Sequence, residues 1–193
     1  MSSQPTAFLT AEEYLERERL AEYRSEYYNG EMFAMAGGSP KHAWIIGNVF
    51  GNLWQQLKGK PCRVSSSDLR LRVTATGLYT YPDVMVICGD PQYADDHNDT
   101  VVNPILIVEV LSPSTRDYDL GKKFHHYRTL PSLLDYLTVA QDIPQIQQWT
   151  RQPEDRWLLT EINDPAQTIQ LPAIGCSLPL SEVYDKIEFA TGS

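Results

Sequence analysis

With 193 residues, 42% hydrophobic and 21% charged, the chain is long enough to bury a core unaided and is expected to form one domain, residues 1–193. Its 16 Lys and Arg against 25 Asp and Glu leave a net charge of −9. That sign excludes a protein gripping nucleic acid by its overall field, so any such contact needs local basic patches or metal ions. No apolar stretch is long enough to span a bilayer, and MSSQPTAFLTAEEYLERERL lacks an apolar signal core, so no membrane contact and a cytoplasmic location are expected. Cys62, Cys88 and Cys176 are odd in number, far apart and without zinc-site spacing. They predict reduced thiols in or near the core.

Thr10-Ala-Glu-Glu13 is a capping box and opens a charged helix expected to reach about Arg24. Asn29-Gly30 is a hairpin turn between two aromatic and apolar strands, the second ended by Gly37-Gly38. Ser39 caps a helix with Pro40 at its first position, running to about Lys58. Its inner stripe is Ile46, Phe50, Leu53 and Leu57, which one turn back lands on His42; Gly47 and Gly51 flank the stripe and suggest close approach to a sheet. Residues 63–74 alternate from Asp68 onward, with Leu69, Leu71 and Val73 on one face and Arg70 and Arg72 on the other, as in a half-buried strand.

A loop, ATGLYTYP, leads to a strand, DVMVIC, and an acidic turn-rich stretch to the most buried-looking strand, Ile105 to Leu111. Ser114-Thr115-Arg116-Asp117 is a second capping-box candidate for a helix from about 116 to 129. SLLDYLTVA, Gln145–Arg151 and Trp157–Ile162 read as strands, and a short amphipathic helix lies near Ser181–Ile187. This order predicts an α/β fold: a mixed sheet with helices on its faces, plus an N-terminal hairpin and C-terminal strands.

One residue breaks the logic of ILIVEVL. A carboxylate at Glu109 inside so apolar a strand must be paired, cation-bound or protonated. Alternation puts Asp83 and Glu109 where neighbouring strands would bring them together, and two converging carboxylates suit a divalent cation such as Mg²⁺. Asp119, Lys123 and Tyr127 share one face of the following helix, so the Lys123 ammonium can fold back over Glu109. The alternatives are a salt bridge from Glu109 to Arg70 or Arg72, a turn role for Asp83, and packing for Tyr127. His42, in the first helical turn after GGSP, suits a phosphate or water contact or a core position.

The order Pro82-Asp83, then Glu109 in an apolar strand, then a lysine, resembles the PD-(D/E)XK nuclease superfamily. More specifically, EVLSPSTRDYDLGKKFHHYRTLPSLLDYLTVAQ, with YLERERLAEYRSEYYNGEMFAMAGGSPKH, SSSDLRLRV and YPDVMVI, resembles the Uma group of bacterial restriction-endonuclease-like proteins over nearly the whole chain. The resemblance implies the restriction-endonuclease-like fold and a Mg²⁺-dependent endonuclease, with Mn²⁺ as substitute, cutting nucleic-acid phosphodiesters, DNA foremost. It implies Asp83, Glu109 and the Val110 carbonyl as metal ligands, and an acidic or polar site contribution from Glu31. The superfamily places a lysine two residues after the acidic one, where this chain has Leu111; the resemblance moves that role to Lys123, with Lys122 as second choice. A homodimer is expected by the same analogy, and His42 as a helper. The net charge and the displaced lysine favour a rival reading, a non-enzymic nuclease-like module; a hydrolase of a small phosphodiester is a third. Asp68 is read as a turn residue or site contributor, Lys58, Lys60, Arg63, Arg70 and Arg72 as surface charge or phosphate contacts, and Trp149 and Trp157 as core or dimer interface.

Overall fold

The computed structural model describes residues 8–35, 37–112 and 116–189. Helix α1 (Ala11–Leu20) starts on the expected box: Thr10 Oγ1 accepts from the Glu13 amide, and the Glu13 carboxylate accepts from the Thr10 amide. It stops at Leu20 rather than near Arg24 because Ala21 is already extended. Strands β1 (Ser25–Tyr28) and β2 (Glu31–Ala34) form the hairpin, turning through Asn29 and Gly30, both at positive φ. Helix α2 (Pro40–Leu57) is capped by the Ser39 hydroxyl, which accepts from the His42 amide.

The stretch read as one strand is two. β3 (Cys62–Ser66) and β4 (Arg70–Val73) lie in different sheets, parted by the turn at Ser67-Asp68. What read as a loop contains β5 (Leu78–Thr80), followed by β6 (Val84–Cys88). Next come β7 (Thr100–Val101), β8 (Leu106–Leu111), a π-helical turn (Tyr118–Lys123) that runs into α3 (Phe124–Tyr127), and β9 (Asp135–Ala140). The capping box proposed at Ser114 and Thr115 lies outside the described residues. β10 (Ile146–Arg151) and β11 (Trp157–Ile162) fall where the sequence puts them, whereas β12 (Thr168–Leu171) and β13 (Cys176–Pro179) were not anticipated. The terminal helix, α4 (Leu180–Val183), is shorter than its pattern.

The strands form a sheet of order β2-β1-β5-β4-β7, a larger one of order β11-β10-β9-β8-β6-β3, and the ribbon β12-β13. β8 pairs antiparallel with β6 and parallel with β9, the crossover being the helical stretch ending in α3. Because β8 is covered on both faces, it reads as continuously apolar. Val108 and Val110 point to α2, the ribbon and α4; Ile107 points to Tyr127, Leu130, Leu133 and Tyr136. Each fully buried side chain of this kind contributes about 1.5–3 kcal/mol by leaving water. Glu109 has the parity of Ile107, so it faces the Tyr127 side.

Four further expectations are corrected. The buried stripe of α2 is Ile45, Val49, Leu53 and Leu57, with Ile46 and Phe50 only partly covered, because the helix sits rotated slightly from the expected centre. Gly47 and Gly51 do not approach a sheet; both are exposed, and a Cβ on either would meet nothing. Arg70 is buried, its guanidinium bonding Asp99, Thr100 and Tyr81, so it is neither a surface charge nor a partner of Glu109. Cys62 and Cys88 stand opposite each other across β3 and β6 with Cα atoms 3.9 Å apart and are joined as a disulfide, so only Cys176 is a free, buried thiol. Strand register brings the pair together despite a sequence separation of 26. Trp149 and Trp157 are packing residues, ringed around Phe124. No helix among the described residues is long and apolar enough to cross a membrane.

Candidate active site

The antiparallel register of β6 and β8 pairs Val84 with Val108, which places Asp83, just before β6, opposite Glu109. The two are locked by the backbone: the Val110 amide donates to Asp83 Oδ2 at 2.7 Å, and the Asp83 amide donates weakly to Glu109 Oε2 at 3.4 Å. From the helical crossover, Lys123 Nζ reaches Glu109 Oε1 at 3.1 Å, and the Tyr127 hydroxyl donates to the same oxygen at 2.7 Å. The partner that Glu109 requires is thus a lysine and a tyrosine, not an arginine.

Lys123 is held by two more carboxylates, Asp119 Oδ1 at 3.3 Å and Glu26 Oε1 at 3.2 Å. Glu26, on β1, also accepts from Thr80 Oγ1 at 2.5 Å and from the Tyr118 hydroxyl at 3.1 Å. It is the acidic residue the hairpin supplies. Glu31, the candidate from that hairpin, is exposed at the start of β2 and does not line the cleft. Face does not separate the two, since Glu31 pairs with Tyr28 and so shares the Glu26 face; position does, because Glu31 sits beside the turn, two residues along the ladder from Glu26. Asp119 could be found from its spacing to Lys123; Glu26 could not be found without knowing that β1 pairs with β5.

The cleft above these groups has a volume of about 450 Å³ and is also lined by Ser39, His42 and Gln141. His42 Nε2 lies 3.0 Å from the Val110 carbonyl oxygen and 3.3 Å from Asp83 Oδ2. Burial disfavours a charged imidazole here, but the Asp83 carboxylate and the Val110 carbonyl outweigh it and raise the His42 pKa above its ordinary value. Burial, opposed by Lys123 and reinforced by Asp83 and Asp119, pushes the Glu109 carboxyl well above the usual carboxylate range. Burial also works against the Lys123 ammonium, yet Glu109, Tyr127, Glu26 and Asp119 more than reverse it, so Lys123 stays protonated.

The remaining candidates lie elsewhere. Asp68 is exposed, pairs with Arg24 and lines an adjoining cleft of about 600 Å³ that shares His42 and Asp83. Lys60 donates to the Gly175 carbonyl and Lys58 stacks on Trp54; neither they, Arg63 nor Arg72 line the carboxylate cleft, and Lys122 points away from it.

Four carboxylates therefore face one ammonium and one imidazole, and the donor set is hard oxygen: two carboxylates and a backbone carbonyl. Both facts fit a divalent cation of the Mg²⁺ type, which takes one or two carboxylates and fills its shell with water and phosphate oxygens. Among the described residues no three Asp, Glu, His or Cys form a full chelating cage, so such an ion would depend on water and substrate for the rest.

Residues 11–181 match the Uma2 family, whose description is "Putative restriction endonuclease". Two relatives come from Synechocystis sp. (strain ATCC 27184 / PCC 6803 / Kazusa): uncharacterized protein sll1609, 38% identical across 81% of this chain and 89% of that protein, and uncharacterized protein slr1290, 35% identical across 97% of both. A crystal structure from Anabaena variabilis ATCC 29413, titled as a putative nuclease belonging to DUF820, superposes with a TM-score of 0.75 over 93% of this chain and 99% of that one, at 18% identity. The family match over residues 11–181 makes the chain a member of the Uma2 family, and the superposition shows the same restriction-endonuclease-like fold.

Proposed function

We propose that the cleft hydrolyses nucleic-acid phosphodiester bonds, those of DNA foremost, with Mg²⁺ as the natural ion and Mn²⁺ as substitute. The observation that carries this reading is the meeting of Asp83, Glu109 and the Lys123 ammonium in one open cleft, with Glu109 touched by both the Asp83 amide and Lys123. Asp83, Glu109 and the Val110 carbonyl would hold the ion, which when bound polarises a phosphate and acidifies a coordinated water. Lys123 is too firmly protonated to be a base, so it offsets charge on the phosphate oxygens. Its ammonium hydrogen-bonds Glu109 and lies 3.2–3.3 Å from Glu26 and Asp119 as ion pairs, so in this arrangement it acts chiefly through its charge. His42, readily protonated beside Asp83, can hold a proton at Nε2 for the departing oxygen.

The three carboxylates gathered around Lys123 favour a second reading, a nuclease-like module that binds without cutting. Incubating supercoiled and single-stranded DNA with Mg²⁺ or Mn²⁺ separates the two. Wild type is expected to cut at least one form, and Asp83→Asn to cut about 10³-fold more slowly or not at all. Calorimetric titration of Mn²⁺ should give binding heat with wild type and none with Glu109→Gln. Cleavage by neither protein, with no heat, would leave only the module.

We further propose that the chain works as a two-fold dimer through the outer face of α2. Trp44 and Trp54 are 60% and 51% exposed there, with Gly47 and Gly51 between them and open space above both glycines. Glycine inside a helix costs about 1 kcal/mol relative to alanine, a cost with no return inside this protomer. The four positions are symmetric about residue 49, so an antiparallel copy sets each Trp44 beside the partner's Trp54 and the glycines face to face. Sedimentation should return twice the chain mass for wild type and one chain mass for Trp54→Glu; a monomeric wild type would refute this interface.

A further inference from the structure

A separate cavity of about 600 Å³ opens beside the carboxylate cleft, sharing Glu26, Phe33 and Tyr118 with it. Its walls are four rings: Tyr28 and Phe33 from the hairpin, Tyr118 from the π-helical turn, and His126 from α3. Its rim carries two exposed basic side chains, Lys122 and His125.

Strand alternation explains the placement. Phe33 pairs with Glu26 across the hairpin, and Tyr28 lies two residues along the strand from Glu26, so all three share one face. That face presents the carboxylate that holds Lys123, with the half-exposed Phe33 ring across the hairpin from it and the half-exposed Tyr28 ring about 7 Å further along the strand. Tyr28 and Phe33 are 40% and 48% exposed, although rings of this size normally seek the core. His126 meets the Tyr28 ring edge-on at 4.7 Å, and its buried Nδ1 has no hydrogen-bond partner among the described residues. Burial and the neighbouring His125 keep its imidazole below the ordinary value, so it is a neutral aromatic wall at pH 7.

Aromatic walls with the Lys122 ammonium at the rim are the chemistry that stacks an unpaired base while its phosphates meet positive charge. A base still paired in a duplex keeps both faces covered by its neighbours and cannot enter. We propose that this cavity takes one unpaired nucleobase of a strand whose adjoining phosphate lies at the carboxylate cleft, so that single-stranded or locally unpaired DNA is preferred to duplex. This rests on reading the carboxylate cleft as a phosphodiester site.

The test uses oligodeoxythymidylate carrying one 2-aminopurine, alone and annealed to its complement, in EDTA and again with Ca²⁺. The full chain is expected to quench the single strand and to bind it at least about tenfold more tightly than the duplex. Phe33→Ala should weaken single-strand binding about tenfold, and Phe33→Trp, which keeps a stacking ring, should restore it. Because Phe33 is half exposed, the alanine variant is expected to melt like wild type; if it does not, the Trp variant and Lys122→Gln carry the comparison. Equal affinity for duplex, or binding indifferent to every change at Phe33, overturns the proposal. Should Phe33-dependent binding occur while neither DNA form is cut with Mg²⁺ or Mn²⁺, the base cavity stands and the phosphodiester reading fails. Cleavage of both forms at equal rates, indifferent to Phe33, has the reverse meaning.

Discussion

Replacing Lys123 by Met is expected to lower the unfolding free energy by about 3–5 kcal/mol, read from urea denaturation at pH 7. The side chain is 8% exposed and the three carboxylates it serves are 9%, 3% and 4% exposed at Glu26, Glu109 and Asp119. Without the ammonium, those groups keep like charges close together and out of water, which costs far more than losing a surface ion pair. The sign with pH follows. In the variant the folded-state carboxyl pKa values lie above the unfolded ones, so the deficit is largest at neutral pH. It shrinks as pH falls and the groups take up protons. Added Mn²⁺ should recover more stability in Lys123→Met than in wild type, by about 2.7 kcal/mol at a hundredfold excess over Kd, if the ion replaces the lost charge. A deficit under about 1 kcal/mol would mean that the carboxylates are already protonated.

Glu109→Gln should move activity and stability in opposite directions. Metal-dependent cleavage is expected to fall about 10³-fold, since one of the two side-chain ligands becomes neutral. Stability should hold or rise by up to about 2 kcal/mol. Burial raises the Glu109 pKa, so folding disfavours its ionised form, and that penalty is present above the folded pKa and absent well below the unfolded one. The glutamine carbonyl can still accept from Tyr127, and Lys123 retains Glu26 and Asp119. The two proteins should therefore converge in stability toward low pH and separate toward high pH. A loss above about 2 kcal/mol at pH 7 would identify the Glu109–Lys123 pair as the main clamp of the fold. Sacrificing stability at a working group is the ordinary trade at functional sites.

The pairing of Asp83 with Glu109 was legible because alternation and neighbouring strands need only local rules. Lys123 was legible for the same reason, through helical spacing. Glu26 was not, since it enters from a second sheet and 97 positions separate it from Lys123 along the chain. β12 and β13 were missed because each is four residues long and bounded by prolines and a glycine that mimic irregular chain. The division of residues 63–74 into two strands was hidden because both halves carry β-forming residues, and only Asp68 hinted at a break. The disulfide escaped notice because cross-strand register, not spacing, decides which cysteines meet.

The π-helical turn has a consequence for how this chain can vary in length. A π turn accommodates one residue more than an α turn, and the extra residue here sits between Tyr118 with Asp119 and the Lys123–Tyr127 side. Deleting Gly121, whose surroundings are open, would take out that extra residue and return the stretch to ordinary α pitch, with the two halves still facing as they do now. Asp119 and Lys123 would then stand three apart on one helical face, and Tyr127 would stay anchored on Glu109. Natural homologues should therefore tolerate a single-residue gap at that glycine.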